Sequence, residues 1–243
     1  MRFRRAARSV RRWKGMTDAL QAIFFDVGNT LLFPNLARIL APLDPTKAAA
    51  SRERWHEIER AAKKRFDDLV AHGAQVDHGF WFLFYSHLLE NLGIRDNAVR
   101  DALVEATRIS ANWCEMRPGT RDALQRIRKD YRLGVISNAD GRIAQVIEGC
   151  GIADCFDSIT DSGVVGYEKP NPAIFHAALK SMGVDANRSL YVGDFYSVDY
   201  LGATRSGMKA ILLDVSGAYR GQDLPRVESL EQLEAALRDH GQG

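Results

Sequence analysis

Cysteine is scarce in this chain. Its three thiols, Cys114, Cys150 and Cys155, are odd in number among 243 residues and have no metal-ligand spacing. That pattern excludes a stapled secreted scaffold and a thiolate metal site, and reduced thiols in the cytoplasm are the simplest expectation. The short interval between Cys150 and Cys155 would allow a disulfide, but two buried thiols account for it more simply. No apolar run approaches the roughly 20 residues of a membrane span, so a soluble protein with no membrane partner is expected. Internal repeats and low-complexity tracts are also missing, which excludes repeat architectures. Net charge is small, +2, and it hides an asymmetry. Residues 1 to 17 carry seven basic groups and no acidic ones, leaving the remaining 226 residues at −5. A mildly acidic body of this kind is not expected to bind nucleic acid. The basic leader has the composition of a targeting peptide or an anion-binding arm. Met16, however, stands just before the first apolar strand, and a start-site artefact or a disordered tail is the simplest reading.

A chain of this length can hold one large α/β domain or a core with a smaller module. From Thr120 onward helical and apolar segments alternate. Helices are expected near 120–130, 141–149, 171–182, 198–206 and 229–240, and strands at 132–137, near 156–160, at 189–193 and at 209–214. With an earlier strand at Ala22-Ile23-Phe24-Phe25, the alternation predicts an α/β fold with a Rossmann-like parallel sheet and helices on both faces. Gly217 to Pro225 reads as a surface loop. The block between the first strand and Pro118-Gly119 has no convincing strand. Trp55, Ile58, Ala62, Phe66 and Leu69 recur there at three-to-four spacing. So do Trp81, Phe84, Leu88 and Leu92, and then Val99, Leu103, Ala106, Ile109 and Trp113. Three or four amphipathic helices are expected, with Lys63 and Lys64 on a solvated face among Glu59, Arg60 and Arg65.

Four strand ends carry residues capable of chemistry. Asp26-Val27-Gly28-Asn29-Thr30 follows the first strand, where open parallel sheets bind ligands, and its turn can direct backbone N–H groups at an anion. Ser137-Asn138 ends another strand with a hydroxyl and an amide. Gly166-Tyr167-Glu168-Lys169-Pro170-Asn171-Pro172 is a rigid turn that carries one lysine into a helix. Leu190-Tyr191-Val192-Gly193-Asp194 is followed by a second carboxylate, Asp199. Each has an ordinary reading when taken alone: a turn, a solvated lysine, a helix N-cap and a surface acid.

In this order and spacing the four segments resemble the haloacid dehalogenase superfamily, in the branch with an α-helical cap inserted after the first motif. The resemblance spans about residues 20 to 215. It implies a hydrolase core made of residues 18–33 and 115–243, an all-helical cap at 34–114, and a cytoplasmic Mg²⁺-dependent phosphatase of small phosphorylated metabolites. It also implies roles. Asp26 would be the nucleophile, passing through an aspartyl-phosphate. Mg²⁺ would be held by Asp26, the backbone carbonyl of Gly28 and Asp194, with Asp199 behind them or bound through water. Val27, Gly28, Ser137, Asn138 and Lys169 would bind the phosphoryl oxygens. Elementary chemistry agrees with these roles: a carboxylate needs no activating base at neutral pH, and an oxygen-only ligand set suits Mg²⁺. The reading requires Asp26 and Asp194 to converge on one divalent cation.

One position departs from the pattern. Phosphatases of this superfamily usually carry a second aspartate two residues after the nucleophile, where this chain has Gly28. General acid catalysis is worth roughly 10² to 10⁴-fold, against accelerations of phosphate-monoester hydrolysis that reach ~10²¹. Hydrolysis therefore survives its loss if another group supplies the proton. His56, His78 and His87 are candidates, and Tyr196 and Tyr200 flank the acidic loop. The alternatives are a metal-free dehalogenase, a phosphonate hydrolase using a cap lysine, and a non-catalytic binding protein of the same fold. Oligomeric state is not legible in the sequence.

Overall fold

The computed structural model describes residues 20–72 and 79–240. The basic leader and His78 lie outside the described residues. In chain order, β1 (Ala22–Phe25) leads to β2 (Leu32–Pro34), then α1 (Leu36–Ile39), α2 (Pro45–Ala71), α3 (Gly79–Asn91), α4 (Asn97–Arg108) and β3 (Trp113–Met116). The alternating half follows as α5 (Thr120–Ile127), β4 (Arg132–Ser137), α6 (Ile143–Gly149), β5 (Ser158–Asp161), α7 (Ser162–Val165), α8 (Pro172–Met182) and β6 (Ser189–Gly193). A π-helical turn, Tyr196–Tyr200, runs into α9 (Leu201–Arg205), and β7 (Lys209–Leu213), β8 (Arg226–Val227) and α10 (Leu230–His240) complete the chain.

The main sheet is parallel throughout, in the order β5-β4-β1-β6-β7-β8. β1 is central and buried on both faces, which is why its four residues are all apolar. Their alternation sends Ile23 and Phe25 into one core layer with Leu124, Val135 and Leu233. Ala22 and Phe24 enter the other, with Phe175, Ala178 and Tyr191. Strand order reverses at β1: the chain first builds β4 and β5 on one side, then crosses to β6, β7 and β8 on the other. The carboxyl ends of β1, β4 and β6 therefore border the crevice at the switch point, where such sheets bind ligands.

Helices α1 to α4 form a module with its own core of Ile39, Trp55, Ile58, Ala62, Phe84, Leu88 and Leu103. Asp44 caps α2 by accepting from the Lys47 amide at 3.0 Å, with Pro45 in the first turn. Contrary to the strandless expectation, the module is bounded by an antiparallel ribbon that pairs Leu32 with Met116 and Phe33 with Glu115. The third helical stripe also stops early. α4 ends at Arg108, Ile109 is 49% exposed, and Trp113 begins β3. The segment expected as a helix over 198–206 starts as the π turn. The 217–225 loop is not purely superficial, because Tyr219 within it is 1% exposed. All three cysteines are free thiols. No helix among the described residues is long and apolar enough to cross a membrane.

Candidate active site

Asp26 leaves β1 at the switch point, its amide donating to the Val192 carbonyl of β6 at 2.8 Å. The chain then turns tightly. The amides of Thr30, Leu31 and Leu32 all converge on the Val27 carbonyl, with Asn29 at φ +54°. On β6, Gly193 makes room for Asp199: a Cβ there would lie 2.5 Å from the Asp199 Cγ, closer than atoms can approach. Asp199 is 2% exposed and fully engaged, Oδ2 accepting from the Phe195 amide at 2.9 Å and Oδ1 from Lys169 at 2.8 Å and Tyr191 at 3.1 Å.

Lys169 precedes α8, which Asn171 caps with Pro172 in its first turn. The Asn138 side chain brackets the lysine's backbone, accepting from its amide at 2.7 Å and donating to its carbonyl at 3.0 Å. The Lys169 ammonium uses all three hydrogens: on Asp26 Oδ1 at 2.6 Å, Asp199 Oδ1 at 2.8 Å and the Tyr191 hydroxyl at 2.8 Å. Ser137 is buried at the end of β4. One carboxylate oxygen each from Asp26, Asp194 and Asp199 falls within 4.8 Å of the others. The fold thus gathers Asp26, Lys169, Asp194 and Asp199, with the Asn138 side chain fixing the backbone of Lys169.

Burial raises Asp26 well above the ordinary carboxylate range. Lys169 opposes this, while Asp199 and Asp194 add to it by repulsion. Asp194 is raised likewise, by burial first, with Lys63 opposing and Asp199 and Glu59 adding. Lys169 is held firmly protonated, the attraction of Asp199 and Asp26 outweighing its own burial. Four buried carboxylates, Asp26, Asp194, Asp199 and Glu59, face two buried ammoniums, Lys63 and Lys169. Carboxylates thus outnumber ammoniums, and a cation such as Mg²⁺ would offset the excess. The donors are oxygens only, and few, so the residues present fit that ion.

Lys63 corrects the sequence reading. It and Glu59 were expected on a solvated helix face, yet they are 2% and 3% exposed. Lys63 donates to Asp194 Oδ2 at 2.6 Å, to the Asp194 carbonyl at 3.1 Å and to Glu59 Oε1 at 2.7 Å. Lys64 and Arg65 are exposed as expected. A signal for the buried pair existed: positions 55, 58, 59, 62, 63 and 66 make one continuous helical stripe, so Glu59 and Lys63 fall on the apolar face. Tyr191 was also missed. A phenol in an otherwise apolar buried strand must find a polar partner, and that was its signal. Of the candidate proton donors, His56 contacts Glu59 Oε2 at 3.3 Å and His87 contacts Asn91. Tyr196 and Tyr200 stack on each other at 5.6 Å.

Buried carboxylates and a lysine at the switch point of a Rossmann-like parallel sheet define a class, α/β proteins with a charged ligand site at the strand ends. The chain belongs to the haloacid dehalogenase-like hydrolase family, whose family model matches residues 20–207. A glyceraldehyde 3-phosphate phosphatase of Methanothermobacter thermautotrophicus is 32% identical over 237 residues, covering 90% of this chain and 100% of that protein. The pyrimidine 5'-nucleotidase YjjG of Escherichia coli is 28% identical over 227 residues, covering 90% and 98%. Among solved structures, the HAD-hydrolase YfnB from Bacillus subtilis, bound to magnesium, superposes with a TM-score of 0.66. It is 16% identical, over 90% of this chain and 98% of that one, which speaks for the fold alone.

Proposed function

We propose that the protein is a Mg²⁺-dependent phosphatase of small phosphorylated metabolites, with Asp26 as nucleophile and the helical module, residues 34–114, as a cap over the core. The observation that carries this reading is the convergence of Asp26, Asp194 and Asp199 around Lys169 in a buried crevice. Phosphatase activity in two relatives that match nearly end to end supports it.

A carboxylate oxygen of Asp26 attacks phosphorus, the ester P–O bond breaks, and the leaving oxygen takes a proton. Water then attacks the aspartyl-phosphate, breaking the P–O bond to Asp26 and releasing inorganic phosphate. Lys169 holds Asp26 in place and offsets the charge of the phosphoryl oxygens. The Ser137 hydroxyl and the backbone amides of Val27, Gly28 and Asn138 orient those oxygens. Asp26, the Gly28 carbonyl and Asp194, with Asp199 behind them, would hold Mg²⁺, which would supply charge stabilisation. The cap excludes water.

The phosphonate hydrolase alternative gains one observation, because a lysine of the helical module, Lys63, lies against Asp194. A Schiff base needs a neutral amine, however, and Lys63 is held protonated: attraction to Asp194 and Glu59 overrides its burial. Phosphate release from p-nitrophenyl phosphate tests the main reading. Activity should require Mg²⁺ and fall at least ~10³-fold in Asp26→Asn, as expected for loss of a nucleophile. Turnover that ignores EDTA or survives the substitution would reject it.

A further inference from the structure

Lys63 reaches the acidic cluster from the helical module, 131 residues from its partner Asp194 in sequence. Its ammonium is enclosed by Asp194 Oδ2, the Asp194 carbonyl and Glu59 Oε1, and lies 5.6 Å from the centre of the Phe195 ring. Around it, the same face of α2 grips the core. Arg60 donates to the Ser216 carbonyl at 3.0 Å. Asp67 accepts from the Ser197 amide at 3.1 Å and the Tyr219 hydroxyl at 3.0 Å. Phe66 packs against Phe195 at 5.3 Å. Lys63 is therefore the centre of a clasp whose target is a carboxylate assigned above to the metal.

We propose that Lys63 sets the affinity of the site for its divalent cation, as a cap-borne counter-charge that opposes Mg²⁺ at Asp194. The inference rests on the reading that Asp194 holds Mg²⁺. Two cations sharing one carboxylate repel each other strongly where water is excluded. The Glu59 carboxylate offsets part of the ammonium's field, so the effect is to weaken metal binding, not to abolish it. By reciprocity, the factor by which Lys63 weakens the metal is the factor by which the metal weakens the clasp. Metal loading thus loosens the hold of the cap on the core at its central contact.

The test is calorimetric titration of the full-length protein with Mg²⁺. Wild type is compared with Lys63→Met and with Lys63→Met/Glu59→Gln, which removes both charges and leaves neither buried alone. Lys64→Met makes the same change of charge at the exposed neighbouring position and serves as the control. The two Lys63 variants should bind Mg²⁺ at least about ten-fold more tightly, with less than about a two-fold change in the control. A purely structural role would leave affinity unchanged or lower it. That result, with wild-type binding intact, would overturn the inference alone. Absence of Mg²⁺ binding in every protein would overturn the metal reading and this inference with it.

Discussion

Two glycines show how single atoms shape the site. Gly193 owes its identity to Asp199, whose carboxylate occupies the space a Cβ would need. Gly193→Ala should therefore destabilise the protein by about 1–3 kcal/mol, the usual effect of overpacking, and displace Asp199. Thermal unfolding and Mg²⁺ titration would reveal this, and an unchanged midpoint would refute it. Gly28 is different: a Cβ there would meet the Trp113 ring at 3.4 Å, an ordinary contact, so a side chain at this position would start out against the indole. Trp113 is 8% exposed and anchored by its Nε1–H to the Thr107 carbonyl at 2.8 Å. The indole ring thus lies beside the position that carries the family's second aspartate. Without that acid the rate should depend steeply on the leaving group. p-Nitrophenyl phosphate should turn over roughly 10²-fold faster than a sugar phosphate, and equal rates would reveal a substitute acid. The glycine was plain in the sequence. Its indole neighbour was not, because 85 residues separate the two and Trp113 read as the end of a helical stripe.

At the scale of elements, α2 holds the most consequential difference between expectation and structure. Its apolar periodicity was legible and its core positions, Trp55, Ile58, Ala62 and Phe66, are buried as that stripe predicts. The fate of Glu59 and Lys63 was not, because burial of a charged pair depends on a partner brought by another element, here Asp194 at the end of β6. Burial pushes Glu59 up, but Lys63 and His56 outweigh it and hold the carboxyl at about 2, below its ordinary 4.5. A carboxylate depressed in the folded state contributes stability that is complete above pH 4.5 and is lost as the pH falls toward 2. Stability to urea should therefore drop over that window in wild type and less steeply in Glu59→Gln. Parallel slopes would contradict the assignment. The β2–β3 ribbon was invisible for a related reason. Its strands are three and four residues long, half of β3 is exposed, and each is defined by a partner some 80 residues away.

On the scale of the whole molecule, the sheet order makes one crevice from distant segments. Asp26 and Lys169 lie 143 residues apart in sequence, and Lys63 and Asp194 lie 131 apart. Repulsion among the clustered carboxylates should make the protein more stable with a divalent cation than without. Mg²⁺ at ~100 times its dissociation constant should add about 2.7 kcal/mol, a rise of roughly 5–10 °C in Tm for a chain of this size. The rise should vanish in EDTA and in Asp194→Asn. An unchanged Tm on adding Mg²⁺ would count against the metal reading.

The order of strands and helices in the core half was written locally, because apolar runs that must be buried on both faces and capped helices such as α8 declare themselves within ten or so residues. The identities of Asp26, Ser137 and Asp194 were legible for the same reason, each at the end of such a run, and that of Lys169 because it stands just before the capped α8. Long-range packing alone settled which charges are buried together. Desolvation and pairing energies depend on neighbours contributed by other elements, so Lys63, Glu59 and Tyr219 acquired their places only when the helical module met the sheet, and Tyr191 only when β6 met Lys169 and Asp199.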